Sequence, residues 1–165
     1  MKRALASIGA SIRDSPSEVR SRCITAVHHL IDLNYSDQDE KTLALTEKWF
    51  RSLTPKPIDL FLQLSGQPFP ELRCAALRIF QSLARQQWGR LALNNHPGFN
   101  EYLLDRSTES DKQGKEHKYE IVRTLVEAKD SDEIFGRPYV LKLKVYQNEG
   151  PFFVRAQAEV AMESQ

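Results

Sequence analysis

One arrangement of apolar and polar positions occurs twice along the chain. Glu18-Val19-Arg20 is followed by Ile24, Val27 and Leu30, and Glu71-Leu72-Arg73 by Leu77, Phe80 and Leu83. An acid-apolar-Arg head with an apolar tail at steps of three and four is one helix type used repeatedly, which predicts a stacked helical array. Each copy has proline at its entrance. Ser15-Pro16-Ser17-Glu18 has the composition of a capping box with Ser15 as cap and Pro16 at the first helical position, while Pro68 and Pro70 serve the second copy. A weaker third copy carries Lys115 in the arginine position and Tyr119, Val122 and Leu125 as its tail, with Gly114 where the others have Val or Leu.

Between these helices the pattern predicts shorter ones. Asn34 to Asp37 closes the first copy, and Asp37, Asp39 and Glu40 place negative charge at the start of a helix running to about Leu53. Its Leu43, Thr46, Phe50 and Leu53 form one stripe and Leu45 and Trp49 another, predicting a wide buried face. After the break at Thr54-Pro55-Lys56-Pro57, residues Ile58 to Leu64 form a short apolar helix ending at Gly66, and the second long helix reaches about Gln86. Following a brief segment from Trp88 to Asn94-Asn95, Phe99 to Leu104 is another short helix. Ser107 to Gly114 is expected to be an exposed loop, and a third long helix covers about Lys115 to Lys129. Tyr139 to Gln147 fits strand or helix, and helical neighbours favour helix. Phe152-Phe153-Val154 is expected to bury its rings as a cap over the last repeat, since the ends of helical stacks must be covered. Leu5, Ile8 and Ile12, spaced as one stripe, are expected to cover the opposite end.

The fold class is therefore all-α, with repeats over about 1–129 and a C-terminal capping tail over 130–165, in one domain. With 41% hydrophobic and 27% charged residues the chain can bury a core. Its 23 basic and 22 acidic residues leave +1, so no global field draws it to nucleic acid or an anionic membrane. No apolar run approaches the ~18–20 residues of a membrane span, and no signal peptide is legible. The expected location is the cytoplasm, with the nucleus as a second site. Cys23 and Cys74 lie near the apolar sides of the repeated helices and are expected to pack as free thiols.

No HExxH, CxxC, phosphate loop, G-x-S-x-G or G-x-G-x-x-G is present. His28 and His29, adjacent on a helix, point about 100° apart and cannot grip one ion together. Catalytic, cofactor and metal sites are accordingly all read as none. Arg20 and Arg73 are expected to pair with acids of neighbouring repeats as an internal ladder, the alternative being a partner's carboxylate. Candidate protein-binding residues are the polar positions opposite the apolar stripes: Thr25, His28, Arg78, Gln81, Arg85, Glu120 and Arg123. A solvated helix face would look the same.

The proline turn, acid-apolar-Arg head and Leu/Phe tail resemble HEAT and armadillo repeats. More specific are Ser65-Gly66-Gln67-Pro68-Phe69-Pro70-Glu71-Leu72-Arg73-Cys74-Ala75-Ala76-Leu77-Arg78, Pro97-Gly98-Phe99-Asn100-Glu101-Tyr102 with Asp105-Arg106-Ser107, and Glu149-Gly150-Pro151-Phe152-Phe153-Val154. Over essentially the whole chain these motifs are similar to the C-terminal part of the proteasome non-ATPase regulatory subunit five family. The resemblance implies an α-solenoid, about the last third of such a protein, acting as an assembly chaperone that binds the C-terminal domain of an AAA-type ATPase subunit of the proteasome base. The chain is expected to be a monomer, with no nucleic-acid or membrane partner. The alternative is a general armadillo-type adaptor or a structural cap in another complex.

Overall fold

A computed structural model describes residues 1–156. Among them there is no strand. Ten α-helices follow one another: α1 (Lys2–Asp14), α2 (Ser17–Ile31), α3 (Glu40–Arg51), α4 (Pro57–Ser65), α5 (Pro70–Ala84), α6 (Gln87–Asn95), α7 (Phe99–Leu104), α8 (Lys112–Glu127), α9 (Ser131–Phe135) and α10 (Arg137–Glu149). Single 3-10 turns occupy Tyr35–Asp37 and Arg106–Thr108. The stretch with two possible readings, Tyr139 to Gln147, is helical, inside α10.

The long helices form a row in which α2, α5, α8 and α10 are successive neighbours, and the shorter α3, α6 and α9 form a second row beside it. Helix α1 packs on α2, with Leu5 and Ile12 buried and Ile8 half-buried, so the predicted stripe does cover that end. At the other end the cover is α10, which lays Val140, Leu143 and Tyr146 inward. Phe152 and Phe153 are not buried: they are 49% and 38% exposed, contrary to the expected cap. The left-handed Gly150, at φ 82°, ends α10 before the two rings can follow its inward face. The remainder of the expected tail, 157–165, lies outside the described residues.

Three local expectations are corrected. Ser15 does not cap α2. Helix α1 runs to Asp14, so Ser15 is its C-cap and Pro16 stands at the α2 N-cap without a side-chain bond. A capping box forms instead on α3, where the Asp39 carboxylate accepts from the Thr42 N–H (2.8 Å) and the Thr42 hydroxyl accepts from the Asp39 N–H (3.0 Å). Leu45 is exposed rather than part of a wide buried face, because α3 meets its neighbours mainly through Thr46 and Phe50. Ser107 to Gly114 is no exposed loop: α8 begins at Lys112, and Glu109 and Gly114 are buried.

Close backbone approach sets the spacing between rows. A Cβ on Gly89 of α6 would lie 2.1 Å from the Leu83 carbonyl oxygen, and one on Gly9 of α1 would lie 1.8 Å from that of Leu53. Neither carbonyl can move aside without shifting a helix end. Gly89→Ala is expected to cost about 1–3 kcal/mol by overpacking. In a thermal melt this appears as a fall of about 2–4 °C per kcal/mol for a chain of this size, with the helical spectrum retained.

Candidate functional site

The predicted binding residues fall on the row of α2, α5 and α8, and the α2–α5 seam joins several of them. The Ser82 hydroxyl of α5 donates toward Asp32 Oδ1 (3.0 Å), with the Arg78 carbonyl as a second acceptor (3.2 Å). His28 Nδ1 of α2 lies 2.8 Å from the same hydroxyl oxygen. With the hydroxyl proton directed to Asp32 or Arg78, Nδ1–H is the donor, which assigns the tautomer. Arg85 Nη1 donates to Asp32 Oδ1 at 2.8 Å, closing the cluster. Beneath it the fully buried Gln86 donates to the Ile31 carbonyl (2.6 Å) and accepts from the Thr46 hydroxyl (2.7 Å) and Trp88 Nε1 (2.9 Å).

Ser82, His28 and Asp32 are the residue types of a hydrolytic triad, but their wiring is not. In a triad the imidazole stands between hydroxyl and carboxylate. Here the hydroxyl stands between the other two, His28 Nε2 is 4.0 Å from Asp32 Oδ2, and Ser82 is fully buried. The arrangement joins two helices and presents no nucleophile.

Arg78 has a different setting. It is half-buried and makes no side-chain hydrogen bond or ion pair with the described residues. Two imidazoles feel its charge, His28 from α2 and His117 from α8. Each titrates below its ordinary value, first because burial disfavours the imidazolium and then because of the Arg78 guanidinium. Gln81 is half-buried one turn further along, its side chain also without a bonded partner among the described residues. The other candidates separate from this group. Thr25 turns its hydroxyl back to the Ser21 carbonyl (3.0 Å), and Arg123 is engaged on its own helix by Glu127 (3.0 Å) and Glu120 (3.7 Å). Glu120 and Arg123 of α8 were singled out beside Arg78 and Gln81, whereas the α8 side chain that feels the Arg78 charge is His117.

The arginine ladder is real at one rung. Arg73 Nη2 donates to Glu109 Oε2 (2.6 Å) and to the Thr108 carbonyl, and Nη1 to the Gln67 carbonyl (3.2 Å). Among the described residues Arg20 meets no acid; its Nε donates to the Ile12 carbonyl at the end of α1 (2.7 Å). The buried cation of α8 is Lys118, not Lys115. Its ammonium, pushed down to about 8 by burial, donates to the Tyr102 and Asp105 carbonyls and the Thr108 hydroxyl. Lys118 and Arg73 together draw residues 105–109 inward, which is why the polar run there is not an exposed loop. Sequence spacing gave no signal for Lys118, since an exposed and a buried lysine read alike.

With that geometry in place, the class of the protein follows from comparison. Residues 1–165 match the family described as proteasome non-ATPase 26S subunit, and the chain belongs to that family. Over 162 residues, 98% of its length, it is 43% identical to the 26S proteasome non-ATPase regulatory subunit 5 of Homo sapiens, and equally to that of Bos taurus. The Drosophila melanogaster subunit 5 is 24% identical over 166 residues. These names indicate a regulatory subunit rather than a catalytic enzyme. The chain spans 32% of the length of each of these relatives, and no solved structure matches it.

Two measurements test the electrostatics. Arg73→Ala is expected to cost about 3–5 kcal/mol, because Glu109 would stay buried without its cation. Its readout is denaturant unfolding. For His28 and His117 the folded pKa lies below the unfolded value of about 6.5, so the unfolded chain takes up protons first as pH falls. Their contribution is full above about pH 6.5 and is lost as pH drops toward the folded values. A His28→Gln/His117→Gln variant should show a shallower decline in melting temperature between about pH 7 and 5 than the parent.

Proposed function

We propose that this chain is a segment of a non-catalytic assembly chaperone for the base of the proteasome regulatory particle, binding the C-terminal domain of an AAA-type ATPase subunit. In this reading it is a HEAT/armadillo-like α-solenoid with repeats over about 1–129 and a capping tail over 130–165, monomeric, working in the cytoplasm and nucleus. The family supports the proteasomal setting, and the two rows of helices support the stacked architecture. What carries the choice of face is Arg78, a guanidinium on α5 with no bonded partner among the described residues, whose charge adds to burial in lowering the titration of His28 on α2 and His117 on α8. An overall charge of +1 supplies no long-range attraction, so an acidic partner surface has to be recognised by such a local cation.

Arg78→Glu is expected to weaken capture of a base ATPase C-terminal domain by roughly tenfold or more, equivalent to about 1.4 kcal/mol. Its melting temperature should stay near that of the parent, because no side-chain bond of Arg78 is lost. Arg85→Glu is the contrasting variant: it breaks the link to Asp32 and should lower stability along with binding. Wild-type affinity in Arg78→Glu would move the contact elsewhere. If the parent chain binds none of the base ATPase domains, the adaptor or structural-cap reading replaces this one.

A further inference from the structure

Helix α10 stands last in the row of long helices, yet it is apolar on two sides. Val140, Leu143 and Tyr146 face inward, toward α7, α8 and α9. Leu141 and Val145, one turn apart, face outward and are 50% and 53% exposed. Apolar residues on opposite sides belong to a helix inside a stack, so the outer side of α10 is where a further helix of the row would pack.

The far end of this strip is pinned in place. Beyond Val145 it continues into Phe152, Phe153 and Val154, all exposed. Arg106 holds the turn that carries them, donating to the Gly150 carbonyl (2.9 Å), the Tyr146 carbonyl (3.1 Å) and Glu149 (3.1 Å). The same guanidinium lies 3.7 Å from the centre of the Tyr146 ring and 5.4 Å from that of Phe153. Phe153 is therefore an exposed ring with a fixed seat, and a cleft of about 690 Å³ opens between it and α10.

Once internal pairs are set aside, the charge of this surface has one sign. Three carboxylates line the cleft, and each has a cation of its own. Glu149 is met by Arg106 (3.1 Å) and Glu109 by Arg73 (2.6 Å), while Asp105 accepts from Ser107 Oγ (2.6 Å) and N–H (2.9 Å) and feels the Lys118 ammonium. Lys115, Lys142 and Arg155, also in the lining, form no ion pair among the described residues, and neither does Lys144. At about 100° per residue, Lys142 and Lys144 lie about 80° to either side of the line from Leu141 to Val145. The exposed acids Asp132 and Glu133 belong to α9, at the opposite end of α10.

We propose that the outer side of α10 docks an acidic amphipathic helix of a partner protein. Its apolar ridge packs along Leu141 and Val145 toward Phe153, and carboxylates on its flanks meet Lys142 and Lys144. A second copy of this chain is disfavoured, because two such faces would bring like charges together. A lipid surface is disfavoured because α10 turns only two apolar side chains outward, too narrow a face to lie in an interface. The ATPase reading is not needed for this one, since α8 stands between α10 and the Arg78 strip.

The test titrates the full chain into fluorescein-Glu-Leu-Ala-Glu-Leu-Leu-Glu-Glu-Leu-Ala-Glu-amide and reads fluorescence anisotropy. Saturable binding is expected, weakened about tenfold or more in Lys142→Glu/Lys144→Glu and in Leu141→Ser/Val145→Ser, a difference of about 1.4 kcal/mol. All four positions are exposed, so melting temperatures should hold. Exchanging the peptide's glutamates for lysines, or its leucines for alanines, should have the same effect, and Arg78→Glu none. Absence of saturable binding, equal binding of the lysine peptide, undiminished binding in both double variants, or loss in Arg78→Glu alone would overturn the proposal. So would cosedimentation with phosphatidylserine vesicles in place of peptide binding, which makes the occupant a lipid surface. Binding confined to a Glu159→Lys/Glu163→Lys variant would overturn it too, by making the chain's own acidic end the occupant.

Discussion

The rest of the structure depends on the burial of α5. Leu72, Ala76, Leu77, Ile79, Phe80, Ser82, Leu83 and Ala84 are all inaccessible, and at about 100° per residue they cover roughly 220° of the helix circumference. Neighbours α2, α4, α6 and α8 occupy that arc. A helix enclosed so widely has only a narrow strip left for solvent, and on α5 the strip carries Arg78, Gln81 and Arg85. Location of the candidate face is therefore a consequence of packing. Close contact at Gly89 sharpens the constraint, because α6 lies against the end of α5 with no room for a methyl group.

Much of this was legible in the sequence, for a specific reason. The long helices repeat an apolar spacing that only a helix with one broad inner side requires, and Pro57, Pro70 and Gly66 punctuate it, so the long helices were recoverable to within a few residues, whereas the five-residue α9 was not read. The failures share a cause as well. Whether Leu45 is buried, whether Glu109 is solvated and whether Phe152 packs depend on what lies across from them, and a neighbour in space leaves no mark on local spacing. Ser15 shows the same limit in miniature. Its sequence context suits an N-cap, but α1 had already claimed it as a C-cap.

The binding candidates show how far a periodic argument reaches. Spacing of three and four correctly puts Arg78, Gln81 and Arg85 on one side of α5. It cannot say which of them is already committed. Arg85 belongs to the seam through Asp32, a residue that the apolar pattern treats merely as the end of α2. His117 was missed because apolar spacing orients each helix by itself, whereas opposition across two packed helices depends on their relative rotation and shift.

Three arginines on α5 accordingly have three fates, set by angle and by the nearest acid. Arg73 lies within the buried arc, about 100° from Leu72, so its charge could be accommodated only with Glu109 and two carbonyls around it. Arg85, the C-cap of α5, faces the open strip yet reaches Asp32 at the end of α2 and stays partly exposed. Arg78 lies about two turns earlier, forms no ion pair among the described residues, and acts on the imidazoles of His28 and His117. A neutral imidazole cannot discharge a guanidinium. The same helix thus spends one arginine on its interior and one on its seam, and leaves the third with its charge directed at whatever approaches the row.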